Sequence, residues 1–100
     1  MANNIFIYEM TKPNRYPGSP SDGLMEVPFV AEQALEATGT SAQSAAFNAT
    51  THAVTVQADV DVLVKFGADP TAAAGSFKVR ANTDRDFYVE PGHKMAFKTA

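Results

Sequence analysis

His52 and His93 are the only imidazoles in this chain, and with eleven Asp and Glu residues they are its material for acid–base or metal chemistry. Both histidines lie beside turn-forming residues. No carboxylate stands at a spacing that completes a zinc site or a nucleophile–base–acid triad. Asp59 and Asp61, two residues apart on one strand face, and Asp69 and Asp84, in turns, are the carboxylates that a paired acid–base or calcium role would need. No calcium-loop pattern surrounds them. Aspartate beside glycine or proline commonly caps its own turn, and aspartates alternating along a wet strand face meet solvent. No serine sits in a nucleophile elbow, the glycines stand singly, and Ala72-Ala73-Ala74-Gly75 lacks the lysine of a phosphate loop. The chain has no cysteine, which excludes disulfides, thiolate catalysis and sulfur-ligated metal. The residues read as a protein that is not an enzyme and takes no cofactor or metal.

Charge narrows the partners. Eight basic against eleven acidic residues leave a net charge of −3 and a pI near 5.2. That balance offers no cation excess for counterion release, so direct nucleic-acid binding is not expected. No run approaches the roughly 18 consecutive apolar residues of a membrane span. The start, MANNIFIYEM, has no basic region ahead of its short apolar run and does not read as a signal peptide. Synthesis in a reducing cytoplasm is expected, and Asn48-Ala49-Thr50, although a glycosylation sequon, is assigned no function.

The one patterned charge feature is the strip Lys78, Arg80, Arg85, Lys94 and Lys98, interleaved with Asp84, Asp86 and Glu90. Alternation puts it on the outward side of the last three strands. Cross-strand ion pairs on a solvated face account for it, and a contact surface for an acidic neighbour is the functional alternative.

The elements that position these residues are strands. From Val54 to Phe66 every second residue is apolar, and the intervening residues are polar except Leu63. That spacing builds one buried and one wet face of a sheet. As one strand the run would span about 40 Å, far more than the usual five or six residues, so a break at Ala58-Asp59-Val60-Asp61 is expected. Turn signals follow at Gly67-Ala68-Asp69-Pro70, Asn82 to Asp84 and Pro91-Gly92, separating short strands that carry Phe77, Val79 and Ala81, then Phe87 and Val89, then Met95 and Phe97. Phe47 interrupts a Ser-, Thr- and Ala-rich stretch and is expected in the core. Between Val27 and Thr38, a period-2 reading puts Phe29, Ala31, Gln33, Leu35 and Ala37 on one face and is preferred to a short helix. The pattern predicts an all-β fold, an antiparallel β-sandwich or small jelly-roll-like barrel.

At the N-terminus, Ile5, Phe6, Ile7, Tyr8 and Met10 make a strand that is apolar on both faces. The run TKPNRYPGSPSD after it holds three prolines and denies a sheet its N–H donors. Residues 1–26 read as an extended arm and residues 27–100 as the sandwich domain. The five apolar arm residues then suit addition to an exposed sheet edge of a partner.

The stretch VTVQADVDVLVKFGADPTA, together with NTDRDFYVEPGHKMAF, resembles small β-rich structural proteins of tailed bacteriophages, in which a VEPGH-like turn precedes a last strand with a core aromatic, here Phe97. The likeness spans about residues 53–98. It implies a virion component made in the host cytoplasm: a head decoration or cement protein that binds the major capsid protein or other virion proteins as a homo-oligomer. A head–tail connector or tail component is the alternative, followed by a carbohydrate-binding fibre module.

Overall fold

The computed structural model describes residues 3–11 and 29–100. Its strands are β1 (Asn4–Met10), β2 (Ala31–Glu36), β3 (Ala42–Gln43), β4 (Ala53–Ala58), β5 (Val62–Gly67), β6 (Phe77–Val79), β7 (Asp84–Tyr88) and β8 (Lys94–Thr99), and no helix occurs among the described residues. Sheet A has the order β2-β1-β4-β7 and sheet B the order β3-β8-β5-β6. All pairings are antiparallel. The two sheets form a sandwich around one core to which Ile5, Ile7, Val54 and Val56 contribute from sheet A and Val62, Val64, Val79, Met95 and Phe97 from sheet B.

The expected break falls where the polar residues interrupt the long alternating run. Strand β4 ends at Ala58, the chain bends at Asp59 and Val60, and β5 begins at Val62 in the other sheet. Asp61 fixes this crossing: its Oδ1 accepts the Ala81 N–H at 2.7 Å, tying it to the β6–β7 connection. In that connection Asn82 takes φ of +59°, a left-handed conformation that asparagine tolerates better than most side chains. The next crossing, from β7 to β8, is the Pro91-Gly92 turn. Gly92 has φ of +83° and the His93 N–H donates to the Glu90 carbonyl at 3.1 Å, as a turn with glycine at its third position requires.

The connections β2–β3, β3–β4, β4–β5, β6–β7 and β7–β8 all pass from one sheet to the other. Strands β2 to β8 thus wind as in a jelly roll. Strand β1 fills the remaining place, between β2 and β4, where a strand following β8 would lie. The first and last strands also end against the same segments. Ala37 donates to Asn3 and Thr99 to Thr38, while Asp59 donates to Asn4 and Ala100 to Asp61, all at 2.8 to 3.0 Å.

This placement corrects the arm reading of Ile5, Phe6, Ile7, Tyr8 and Met10. β1 is an inner strand with both of its edges paired, so it has no free main-chain edge to lend to a partner. Ile5 and Ile7 belong to the protein's own core, and Met10 is fully buried on the opposite face. The strand is apolar on both sides because one side faces sheet B and the other carries the ring of Tyr8, which lies 4.9 Å from that of Phe29. A domain boundary near residue 26 therefore does not separate β1 from the body. The proline-rich run that prompted it, from Lys12 onward, lies outside the described residues.

The parity of β1 brings a carboxylate inside. Glu9 shares the inward face with Ile5 and Ile7 and is only 2% exposed. Its Oε1 accepts the Asn48 N–H at 2.9 Å and the Thr51 hydroxyl at 2.8 Å, and its Oε2 accepts the Gln33 amide at 3.1 Å. Gln33 in turn accepts the Ala45 N–H at 3.0 Å. One buried carboxylate thus pins edge strand β2 and the 45–51 connection to the centre of sheet A. Glu9→Gln turns one of the two acceptor oxygens into a donor facing donors. It should lower stability by about 1–3 kcal/mol in a denaturant titration, the penalty for an unsatisfied buried polar group.

Candidate functional site

Antiparallel partners project to the same side of a sheet, so the registers sort every charged side chain. On sheet B, Val62, Val64 and Phe66 point inward with Val79, Phe97 and Met95. The outward set contains Leu63 flanked by Lys78 and Lys98, then Lys65 opposite Ala96, then Lys94 opposite Gly67. On sheet A the inward set contains Ile5, Ile7, Leu35, Val54, Val56 and Phe87. The outward rows are Ala34-Phe6-Gln57-Asp84 and Glu32-Tyr8-Thr55-Asp86, with Glu36 opposite Asn4 and Tyr88 opposite Ala53.

The five-residue basic strip is therefore not one surface. Lys78, Lys94 and Lys98 stand on the outer face of sheet B. Arg80 lies in the β6–β7 connection, where its carbonyl accepts the Thr83 hydroxyl at 2.8 Å. Arg85 is in sheet A, on the inward parity of edge strand β7, and its guanidinium lies over the Phe77 ring at 5.8 Å from the centroid. The last three strands do not share a sheet: β7 pairs with β4, whereas β6 and β8 flank β5. Lys65 completes the sheet B face. The alternation of Leu63, Lys65 and Gly67 against Val62, Val64 and Phe66 carries that signal.

Arg85 also closes an aromatic chain between the sheets at their β6/β7 edge. The Phe77 ring meets Phe87 edge-on at 5.5 Å, Phe87 meets Phe66 at 4.7 Å, and Phe66 meets the buried Phe47 at 6.3 Å. Phe77 keeps half its surface in solvent, and Tyr88, on the outer face of sheet A, keeps 74%. These are the exposed large apolar side chains among the described residues.

Several of the side chains whose types suggested chemistry bond to structural partners. Asp61 caps the β6–β7 connection and lies 3.8 Å from Lys78, an exposed ion pair of small worth. Asp86 accepts the Thr55 hydroxyl at 2.7 Å and Asp84 the Gln57 amide at 2.8 Å, cross-strand bonds that stiffen the β4–β7 pair. Asp69 accepts the Gln43 amide at 2.8 Å. His52 Nδ1 lies 3.2 Å from the Thr50 carbonyl, and it is the backbone N–H of His93 that closes the Pro91-Gly92 turn. Asn48 of the sequon accepts the Thr50 N–H and hydroxyl, both at 3.3 Å, which makes it a side-chain-capped turn. Among the described residues no three His, Cys, Asp or Glu side chains converge as a metal site would require.

Two open depressions are lined by described residues. One, of about 260 Å³, lies at the end of sheet A between Phe6, Asp59 and Asn82. The other, of about 580 Å³, lies along β5 and the 73–77 segment beside Phe77. Both lie open to solvent and do not enclose a cavity. No protein-family model, curated protein or solved structure matches the chain.

Proposed function

We propose that this protein is a non-enzymatic structural component of a virion, a capsid decoration or cement protein that acts by protein–protein contact with the major capsid protein or with other virion proteins. The observation that carries this reading is the division of labour among the polar side chains. The carboxylates of Asp61, Asp84 and Asp86 hold a crossing and a strand pair, while the lysines of sheet B and the outward carboxylates of sheet A lie on different faces. A surface so sorted serves recognition and orientation. The segment that resembles small tailed-phage structural proteins, about residues 53–98, comprises β4 to β8. Jelly rolls also recur in viral shells, although a fold shared among many functions adds support by analogy alone.

A particle-stability assay tests the reading. Heads assembled without the protein should release their DNA at a lower temperature than complete heads, and adding back the purified chain should restore the release temperature. Identical release temperatures in all three preparations would contradict a cementing role.

A further inference from the structure

We infer that the notch where β6 stops short along β5 is a docking site for an extended segment of a partner polypeptide. The segment pairs its main chain with Phe66, lays an apolar side chain beside the Phe66 and Phe77 rings, and sets an acidic one opposite Lys65. This goes beyond the virion reading, which names no contact surface, and does not depend on it.

The main chain carries the first part of the argument. Met95 in β8 turns both of its polar groups toward β3: its carbonyl accepts the Ser44 N–H at 2.8 Å and its N–H donates to the Ser44 hydroxyl at 2.9 Å. These groups alternate in direction along a strand, so Met95, Phe97 and Thr99 bond toward β3, and Lys94, Ala96 and Lys98 toward β5. The Ala100 N–H keeps the alternation, donating to the Asp61 carbonyl at 3.0 Å. Through the β5–β8 register, Leu63, Lys65 and Gly67 face β8, which leaves Val62, Val64 and Phe66 facing β6. Val62 meets Val79 and Val64 meets Phe77, but the place opposite Phe66 falls on Gly75, two residues before β6 begins. There the chain has turned out of the sheet. The Ser76 N–H donates to the Ala73 carbonyl at 2.9 Å, and the Ser76 hydroxyl accepts the Ala73 N–H at 3.0 Å. The Phe66 N–H and C=O therefore have no hydrogen-bond partner among the described residues.

An unpaired donor and acceptor on a strand edge are a template for another strand. They open into the depression of about 580 Å³ whose walls include Val64, Phe66, Gly75, Ser76 and Phe77. Phe77 has inward parity, opposite Val64, yet keeps half its surface in solvent because it stands at this open edge. A residue paired with Phe66 projects to the same side as the Phe66 ring, next to Phe77. An apolar side chain suits that place.

Charge sets the neighbouring position. A segment running antiparallel to β5, as β6 does, puts its next residue opposite Lys65 on the outer side of the sheet. Lys65 is exposed and in no ion pair among the described residues, since Asp61 stands by Lys78 and Asp69 accepts from Gln43. Arg85, also exposed, lies over the Phe77 ring and adds a second cation at the notch. An acid directly across from a lysine stabilises a strand pair. One open residue pair gives weak binding to a free peptide and more to a segment held in place by other contacts.

Amide-resolved NMR of the full chain tests the inference. In the free protein the Phe66 amide should exchange with solvent on the order of 100-fold or more faster than its strand neighbours Val64 and Lys65. The probe is acetyl-Thr-Val-Thr-Val-Glu-Thr-amide at up to millimolar concentration. It should shift the resonances of residues 64–66 and 73–77 and slow exchange at Phe66. Lys65→Glu, an exposed change, should weaken this peptide by roughly 1.5- to 5-fold and favour the counterpart with lysine in place of glutamate by a similar factor. A Phe66 amide as protected as that of Val64 in the free chain would overturn the inference. So would shifts that are absent or fall elsewhere, or an unchanged peptide preference in folded Lys65→Glu. Protection of Phe66 that rises with protein concentration alone would overturn the assignment to a different polypeptide and make the occupant a second copy.

Discussion

Val64→Asp should unfold this protein, whereas Leu63→Asp, one residue away, should leave it folded. Val64 lies on the inner face of β5 between Phe77 and Phe97 and is 1% exposed. A carboxylate there has apolar neighbours and no donor among its cross-strand partners. Burying an unpaired charge or forcing it to neutralise costs several kcal/mol, to which the lost methyl packing adds about 1 kcal/mol or more. A domain of this size holds roughly 5–15 kcal/mol in total, so the variant should lose its cooperative thermal transition or melt far below the wild type. Leu63 points the other way and is only half-buried between Lys78 and Lys98. An aspartate there meets two ammonium groups and should change stability by no more than about 1 kcal/mol. Equal melting temperatures for the two variants would mean that the faces of β5 are assigned the wrong way round.

Deleting residues 1–10 should abolish folding as well. The deletion removes the strand that separates β2 from β4, leaves β2 with no strand partner, and takes Ile5 and Ile7 from the core and the Glu9 carboxylate from its three donors. The two isoleucines alone contribute about 3–6 kcal/mol of burial, comparable to the whole stability of a small domain. The shortened chain should lack near-ultraviolet circular dichroism and unfold without cooperativity. A synthetic peptide of residues 1–11 supplied in excess should restore the native spectrum by filling the vacant place. A cooperative transition in the truncated chain without peptide would show that the strand is dispensable to the body, as a detachable arm would be.

Local patterns made much of this fold legible and left its pairings hidden. Alternation from Val54 to Phe66 with a polar break marked both β4 and β5, and Pro91-Gly92 marked the last turn, because these signals act within a few residues. Period 2 likewise picked out β2 with Ala31, Gln33 and Leu35 on its inner side, and Phe47 proved to be core. Which sheet a strand enters is decided by partners far away in the chain. That is why Lys78, Arg85 and Lys98, all outward or edge-lying, looked like one strip when β7 belongs to the other sheet. The same blindness made β1 look like an arm. A strand apolar on both sides suits a loan to a partner and an inner position in its own sheet equally well, and the proline-rich run after it favoured the wrong choice. Glu9 was readable in principle, since it shares parity with Ile5 and Ile7, but its donors come from residues 33, 48 and 51.

Quantitative mass spectrometry of purified particles bears most directly on the central claim, that the protein works as a structural part through contact. A decoration protein should be present in a fixed proportion to the major capsid protein. A count fitting a single ring per particle would move the same sandwich to a connector at the head–tail junction. Its absence from purified particles would contradict a virion role.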